Sequence, residues 1–214
     1  MILTFGTQKG GVGKTTLAIA IANYIALHTD YKINVLDFDF QKSFFQKWKD
    51  DELIKGDYLY DVVLVDEANE ALTNDDEILK QLRDSKEIFL FDIAGNIQKK
   101  YSKVLKYSNF IIVPFSYSDV TINSTLVFVN LCKILDIEGK MLFVRNNVDK
   151  NGKYLNQLEM DLELQHHGIL LDSSVFKRNC LQTITTKKLS SEQKLAVKSF
   201  FDELIFNIQE YGID

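Results

Sequence analysis

Gly6-Thr7-Gln8-Lys9-Gly10-Gly11-Val12-Gly13-Lys14-Thr15-Thr16 joins a short apolar run at residues 2–5 to a stretch at 15–28 where Leu17, Ile21, Ile25 and Leu27 recur at helical spacing. A glycine-rich turn between strand and helix can curl so that several backbone N–H groups point inward, at phosphate oxygens. The helix starting near Lys14 adds the positive end of its dipole. Gly6 and Gly13-Lys14-Thr15 fit the ending G-x-x-x-x-x-x-G-K-T, whereas the stricter G-x-x-x-x-G-K-[ST] would want glycine where Gln8 stands. Such a loop would place the Lys14 ammonium on β- and γ-phosphates and the Thr15 hydroxyl on Mg²⁺, with amides from Gly11 to Thr16 around the phosphates.

Outward from this loop, apolar runs alternate with helical patterns. Residues 33–36, 88–91, 110–113, 141–144 and 169–171 read as strands, and 62–65 as a short extra one. Segments 43–49, 75–84, 98–107, 121–135, 154–165 and 192–211 read as helices, and Pro114 as the residue closing its strand. The strand runs are continuous rather than alternating, which marks strands covered on both faces. The expectation is an α/β fold: a parallel twisted sheet with helices on both faces. No repeat or linker interrupts the pattern, so residues 1–214 read as one domain.

Acids close several of the strands. In Val35-Leu36-Asp37-Phe38-Asp39-Phe40-Gln41, two carboxylates at i and i+2 on a strand end point the same way. Carboxylates suit Mg²⁺, which takes hard oxygen ligands, and a water that needs a proton acceptor. Val62-Val63-Leu64-Val65-Asp66 and Ile88-Phe89-Leu90-Phe91-Asp92-Ile93-Ala94-Gly95 both read as four apolar residues and then an acid. Local pattern does not choose between Asp66 and Asp92.

Composition narrows the class. The 214 residues are 46% hydrophobic and 26% charged, which excludes overall disorder, and 10 Gly with a single Pro exclude collagen-like or low-complexity chains. No transmembrane run and no signal peptide are read, so the expected compartment is the cytoplasm. Cys132 and Cys180 are too few for a disulfide scaffold, and His28, His166 and His167 lack metal spacing and read as surface residues. The net charge of −5 is uneven. Residues 50–92 carry 14 acids against 4 bases, while residues 173–200 carry six bases against Glu192. The basic stretch reads either as solvated faces or as a surface for phosphates.

The run Lys9-Gly10-Gly11-Val12-Gly13-Lys14-Thr15 resembles the deviant Walker A box, K-G-G-x-G-K-[ST], of the ParA/MinD superfamily of P-loop ATPases. That resemblance implies ATP and Mg²⁺ as cofactors, bound by Lys9 to Thr16. It also implies that Lys9 crosses a dimer interface to the partner's phosphates. The segment at Asp37 is similar to the family's D-x-D-P-Q box, with Phe40 where proline is usual. The resemblance assigns Asp39 to the attacking water and the metal shell. It favours Asp92 over Asp66 for holding Mg²⁺ together with Thr15. Leu142-Phe143-Val144-Arg145-Asn146 resembles the strand whose end contacts adenine, making Arg145 and Asn146 candidates; an Arg on the surface at a strand end reads equally well.

The chain looks most like small plasmid or mobile-element ParA proteins. This implies an ATP-switched homodimer that binds DNA non-specifically and is stimulated by a centromere-binding partner. Lys177, Arg178, Lys187 and Lys188 are the candidate DNA contacts. The alternative is a MinD-like positioning ATPase cycling on a membrane or protein partner. Leu195, Phe200, Phe201, Leu204, Ile205 and Ile208 form an apolar stripe, but Asp202, Glu203 and Glu210 replace the Lys and Arg of a membrane-surface helix. A core-packing helix without stable membrane insertion is therefore expected. An iron–sulfur reductase is disfavoured because neither cysteine has a matching context.

Overall fold

The computed structural model describes residues 1–7, 11–69, 71–95 and 99–211. Seven strands, β1 (Ile2–Phe5), β2 (Ile33–Phe38), β3 (Val62–Leu64), β4 (Ile88–Ile93), β5 (Phe110–Phe115), β6 (Lys140–Val148) and β7 (Ile169–Phe176), form one sheet in the order β3-β2-β4-β1-β5-β6-β7. Every pairing is parallel. The helices are α1 (Lys14–His28), α2 (Ser43–Asp50), α3 (Ala71–Asn74), α4 (Asp76–Arg83), α5 (Ser102–Tyr107), α6 (Asp119–Ile134), α7 (Gln157–Gln165), α8 (Asn179–Gln182) and α9 (Ser191–Tyr211). Short 3₁₀ turns occupy Asp51–Leu53, Glu67–Asn69 and Lys99–Tyr101.

The strands are apolar throughout because both faces are covered. Leu3, Phe5, Val35, Leu90, Ile112 and Val144 pack with Ile21 and Ile25 of α1 and with Phe200, Phe201 and Leu204 of α9. Ile2, Leu36, Phe91, Ile111, Val113 and Phe143 pack on the other side with Leu79 of α4, Leu105 of α5, Phe128 of α6 and Leu164 of α7. This three-layer α/β arrangement is the one expected from the continuous runs.

Several boundaries differ from the sequence reading. Pro114 does not close β5 but lies inside it, opposite Val144. Gly6 N–H donates to the Ile112 carbonyl, so Pro114, two residues on, faces the same side beyond the end of β1. Among the described residues, no strand lies there to use the missing N–H. β7 runs to Phe176, five residues past the apolar run. Of the α9 stripe, Phe200, Phe201, Leu204 and Ile208 are buried as expected, while Leu195 is 77% exposed. Among the described residues, no helix is long and apolar enough to cross a membrane.

The order of the strands places a ligand site. From β1 the chain moves to one side, through β2 and β3, returns at β4, and then continues on the other side from β5 onward. Ligands of open α/β sheets bind beyond the carboxyl ends of the strands at such a reversal. Phe5, Asp92 and Asp37 stand abreast there on β1, β4 and β2.

Candidate active site

The loop after β1 is tied down at its far end by backbone geometry. Gly11 and Gly13 have φ of 82° and 80°, in the left-handed region that favours glycine. A Cβ on Gly13 would come within 2.7 Å of Asn146 Nδ2. That amide donates to the Val12 carbonyl at 2.7 Å, so β6 clamps the loop directly. Asn147, at φ 57°, makes a bulge against β7. The bulge lets buried Asn146 face the loop while Val148 joins the opposite core.

Acids and bases meet where α1 begins. The buried Lys14 ammonium is paired with the fully buried Asp92 carboxylate and lies 3.6 Å from Asp39 Oδ2. Thr15 Oγ1 donates to the other Asp92 oxygen at 2.8 Å. Residues from the first helix turn, the β2 end and the β4 end thus form one cluster, as their assignment to one nucleotide site requires. Lys9 and Gly10 lie outside the described residues.

Asp37 has a different part. Its Oδ1 accepts from Asp39 N–H at 3.0 Å and its Oδ2 from Phe45 N–H at 2.9 Å. The carboxylate fastens the turn that holds Asp39 to the first turn of α2. Burial pushes its pKa up to about 6; the two N–H donors oppose this, and the Asp92 charge adds to it.

The two acids that looked alike in sequence part company. Asp92 is enclosed with Lys14 and Thr15. Asp66 is exposed past β3, where its Oδ1 accepts from Ala68 N–H at 3.0 Å in a local turn.

Two sets of candidates lie apart from this cluster. Arg145 does not face the loop: consecutive strand residues face opposite ways, and Asn146 takes the loop side. The Arg145 guanidinium donates to Tyr117 Oη at 2.6 Å, the Leu171 carbonyl at 2.6 Å and Asp161 Oδ2 at 2.9 Å, on the side of α7. The four basic candidates meet different groups. Exposed Lys177 and Arg178 line a cavity beside the loop together with Gly11, Gly13, Thr16, Asn146 and Leu181. Lys187 is held elsewhere, 2.8 Å from the Gly56 carbonyl and 3.5 Å over the Tyr58 ring. Lys188 is exposed as well, and its carbonyl accepts from Asn23 of α1 at 3.1 Å.

Cys132 is buried in α6, where burial pushes its thiol up to about 12, and Cys180 is half-buried in α8. Among the described residues, no group of three or more His, Cys, Asp or Glu is placed to hold a metal by itself.

Comparisons with known proteins agree with this fold. The structure resembles a plasmid partition protein from Borrelia burgdorferi bound to AMPPNP, at TM-score 0.70 and 17% identity over 97% of this chain and 98% of that one. It also resembles MinD in the MinC:MinD cell division complex of Aquifex aeolicus, at TM-score 0.73 and 15% identity over 96% and 95%. A third neighbour is the pNOB8 ParA bound to nonspecific DNA, at TM-score 0.63 and 18% identity over 98% of each chain. No curated protein sequence matches the chain. The model of the CobQ/CobB/MinD/ParA nucleotide binding domain matches residues 3–194, and the chain therefore belongs to that family of P-loop nucleotide-binding domains.

Proposed function

We propose that the chain is a single Mg²⁺-dependent ATPase domain that acts as an ATP-switched homodimer in DNA partition. The observation that carries this is the convergence of Lys14, Thr15, Asp39 and Asp92 at the strand-order reversal. The donor set fits a magnesium nucleotide: a threonine hydroxyl and two carboxylates offer hard oxygens, and a lysine and a helix start offer positive charge. With no metal-holding triad among the described residues, Mg²⁺ would arrive with the phosphate oxygens. Lys14 would leave the carboxylates for the β- and γ-phosphates, Thr15 and Asp92 would hold the metal shell, and Asp39 would orient the attacking water. Lys9 would serve the partner's site. The cavity beside the loop would take the base, with Asn146 steadying the loop and Lys177 and Arg178 at the rim.

Two neighbours support the wider reading: a ParA bound to nonspecific DNA and a plasmid partition protein bound to AMPPNP. A second reading, a switch that recognises a protein as MinD does MinC, is favoured by the dispersal of the basic stretch. It is also favoured by Leu155, Leu158 and Leu162, exposed at helical spacing at α7.

Binding to random-sequence duplex DNA, with a slowly hydrolysed ATP analogue and with ADP over a salt series, tests the choice. Binding only with the analogue and falling steeply with salt is the expected outcome. No binding in either state, with analogue-dependent dimerisation intact, would replace DNA by a protein partner.

A further inference from the structure

Tyr101 closes the 3₁₀ turn that leads into α5, and its side chain is wholly enclosed. Its hydroxyl has no hydrogen-bond partner among the described residues. A buried phenol normally finds one, and leaving the donor unused costs free energy that the surrounding packing must offset. The ring stands edge-on to Phe38, with centroids 4.7 Å apart and planes at 82°. Phe38 is the residue between Asp37 and Asp39. The Lys100 ammonium covers both rings, 5.0 Å from the Tyr101 centroid and 5.4 Å from that of Phe38. Phe38, Asp39 and Lys100 line one cavity. Burial first, then the charges of Asp39 and Asp37, push the Tyr101 phenol up to about 12, so it stays a protonated donor at neutral pH.

Asp39 currently has Lys14 as its cation, at 3.6 Å. If Lys14 turns to nucleotide phosphates, as the proposed function requires, Asp39 loses that cation. A protonated phenol packed edge-on against Phe38, the residue before Asp39, is a ready replacement.

We propose that Tyr101 is a positioning residue: its hydroxyl becomes the hydrogen-bond donor to the Asp39 carboxylate when Lys14 moves onto the nucleotide. The inference rests on the nucleotide-site reading above. Asp39 would exchange a lysine for a neutral donor on Oδ2, while Oδ1 keeps the Gln41 N–H it accepts at 2.9 Å, which together fix its orientation toward water.

Tyr101→Phe removes only the hydroxyl and keeps the packing on Phe38. The affinity for a slowly hydrolysed ATP analogue is measured in a double-mutant cycle with Asp39→Ala. Tyr101→Phe is expected to weaken analogue binding about tenfold when Asp39 is present and less than about twofold in Asp39→Ala, since a hydrogen bond to a charged group disappears in only the first case. Labelling Tyr101 with ¹³C at Cζ should give a resonance that shifts with the analogue in the wild type and stays in place in Asp39→Ala. Equal losses in both backgrounds, or a resonance that ignores the analogue while the wild type binds it, would overturn the proposal and leave the nucleotide site standing. A wild-type chain that does not bind the analogue would overturn both.

Discussion

The strand ends of β1, β2 and β4 and the basic stretch at 173–200 both stand out in the sequence by their charge. The fold treats them oppositely. At the strand ends, Lys14, Thr15, Asp39 and Asp92 come from segments up to 78 residues apart and meet in one enclosed cluster. In the basic stretch, near neighbours in sequence separate. Exposed Lys177 and Arg178 line the cavity beside the loop, Lys187 lies on Tyr58, and Lys188 is exposed elsewhere in the stretch. Spacing relative to a strand end fixes where a side chain goes, because parallel register sets the strand ends abreast. Net charge over a window fixes nothing of the kind. The loop at 185–188 goes where side chains of other elements anchor its backbone: Asn23 Nδ2 donates to the Thr185 carbonyl at 2.7 Å, and Asp51 Oδ2 accepts from Thr186 N–H at 2.7 Å.

The largest effect that separates the two regions is expected from Lys14→Ala. Affinity for the ATP analogue should fall at least about a hundredfold, because Lys14, the cation paired with the buried Asp92 among the described residues, is also the proposed phosphate ligand. The nucleotide-free protein should lose about 3 kcal/mol, since Asp92 stays enclosed with Thr15 alone. Isothermal titration and urea unfolding read the two losses. A variant with unchanged affinity would show that the cluster is only a structural ion pair.

Much of this was readable in advance where a local pattern carried the information. Continuous apolar runs gave all seven strands, and a glycine-rich turn before a helix gave the loop. Asp66 and Asp92 could not be told apart by pattern, because what separates them is the position of β4 next to β1, a long-range pairing. The parting of Arg145 from Asn146 had a signal: consecutive residues of a strand face opposite ways. Pro114 was misread because a proline inside a strand is tolerated once the neighbouring strand has ended, which sequence does not display. Tyr101 carried no signal at all, since an aromatic among helical residues reads as core.

Asp37 gives a smaller, pH-dependent test of the same enclosure. Its folded pKa of about 6 lies above the ordinary value of 3.8. Between those values the folded state keeps a proton that the unfolded chain has released. The contribution of this group is thus fully present below about 3.8 and lost as pH rises through about 6, a change on the order of 3 kcal/mol. In nucleotide-free and Mg²⁺-free protein, Asp37→Asn stays neutral throughout. It should gain stability relative to the wild type between pH 4 and pH 7, whatever fixed cost follows from losing one acceptor for Phe45 N–H. A pH-independent difference in urea midpoints would mean that Asp37 is held charged, with Lys14 as the group to blame.

The smallest effect is expected at Lys187, and it bears on whether the basic stretch is one surface. Its ammonium is 2.8 Å from the Gly56 carbonyl and lies over Tyr58, which in turn packs on Trp48 with centroids 4.6 Å apart. Lys187→Ala should cost about 0.5–1 kcal/mol of stability, the size of a partly exposed cation–π contact. The loss can be followed through the fluorescence of the single tryptophan. If the proposed DNA binding holds, Lys187→Ala should leave its salt dependence unchanged, because that ammonium is already engaged. Lys188→Ala should remove about one unit of the salt slope, as a lost phosphate contact does. Equal slopes for the two variants, both shallower than the wild type, would mean that Lys187 leaves Tyr58 for DNA. The stretch would then act as a single surface in the bound state despite its dispersal here.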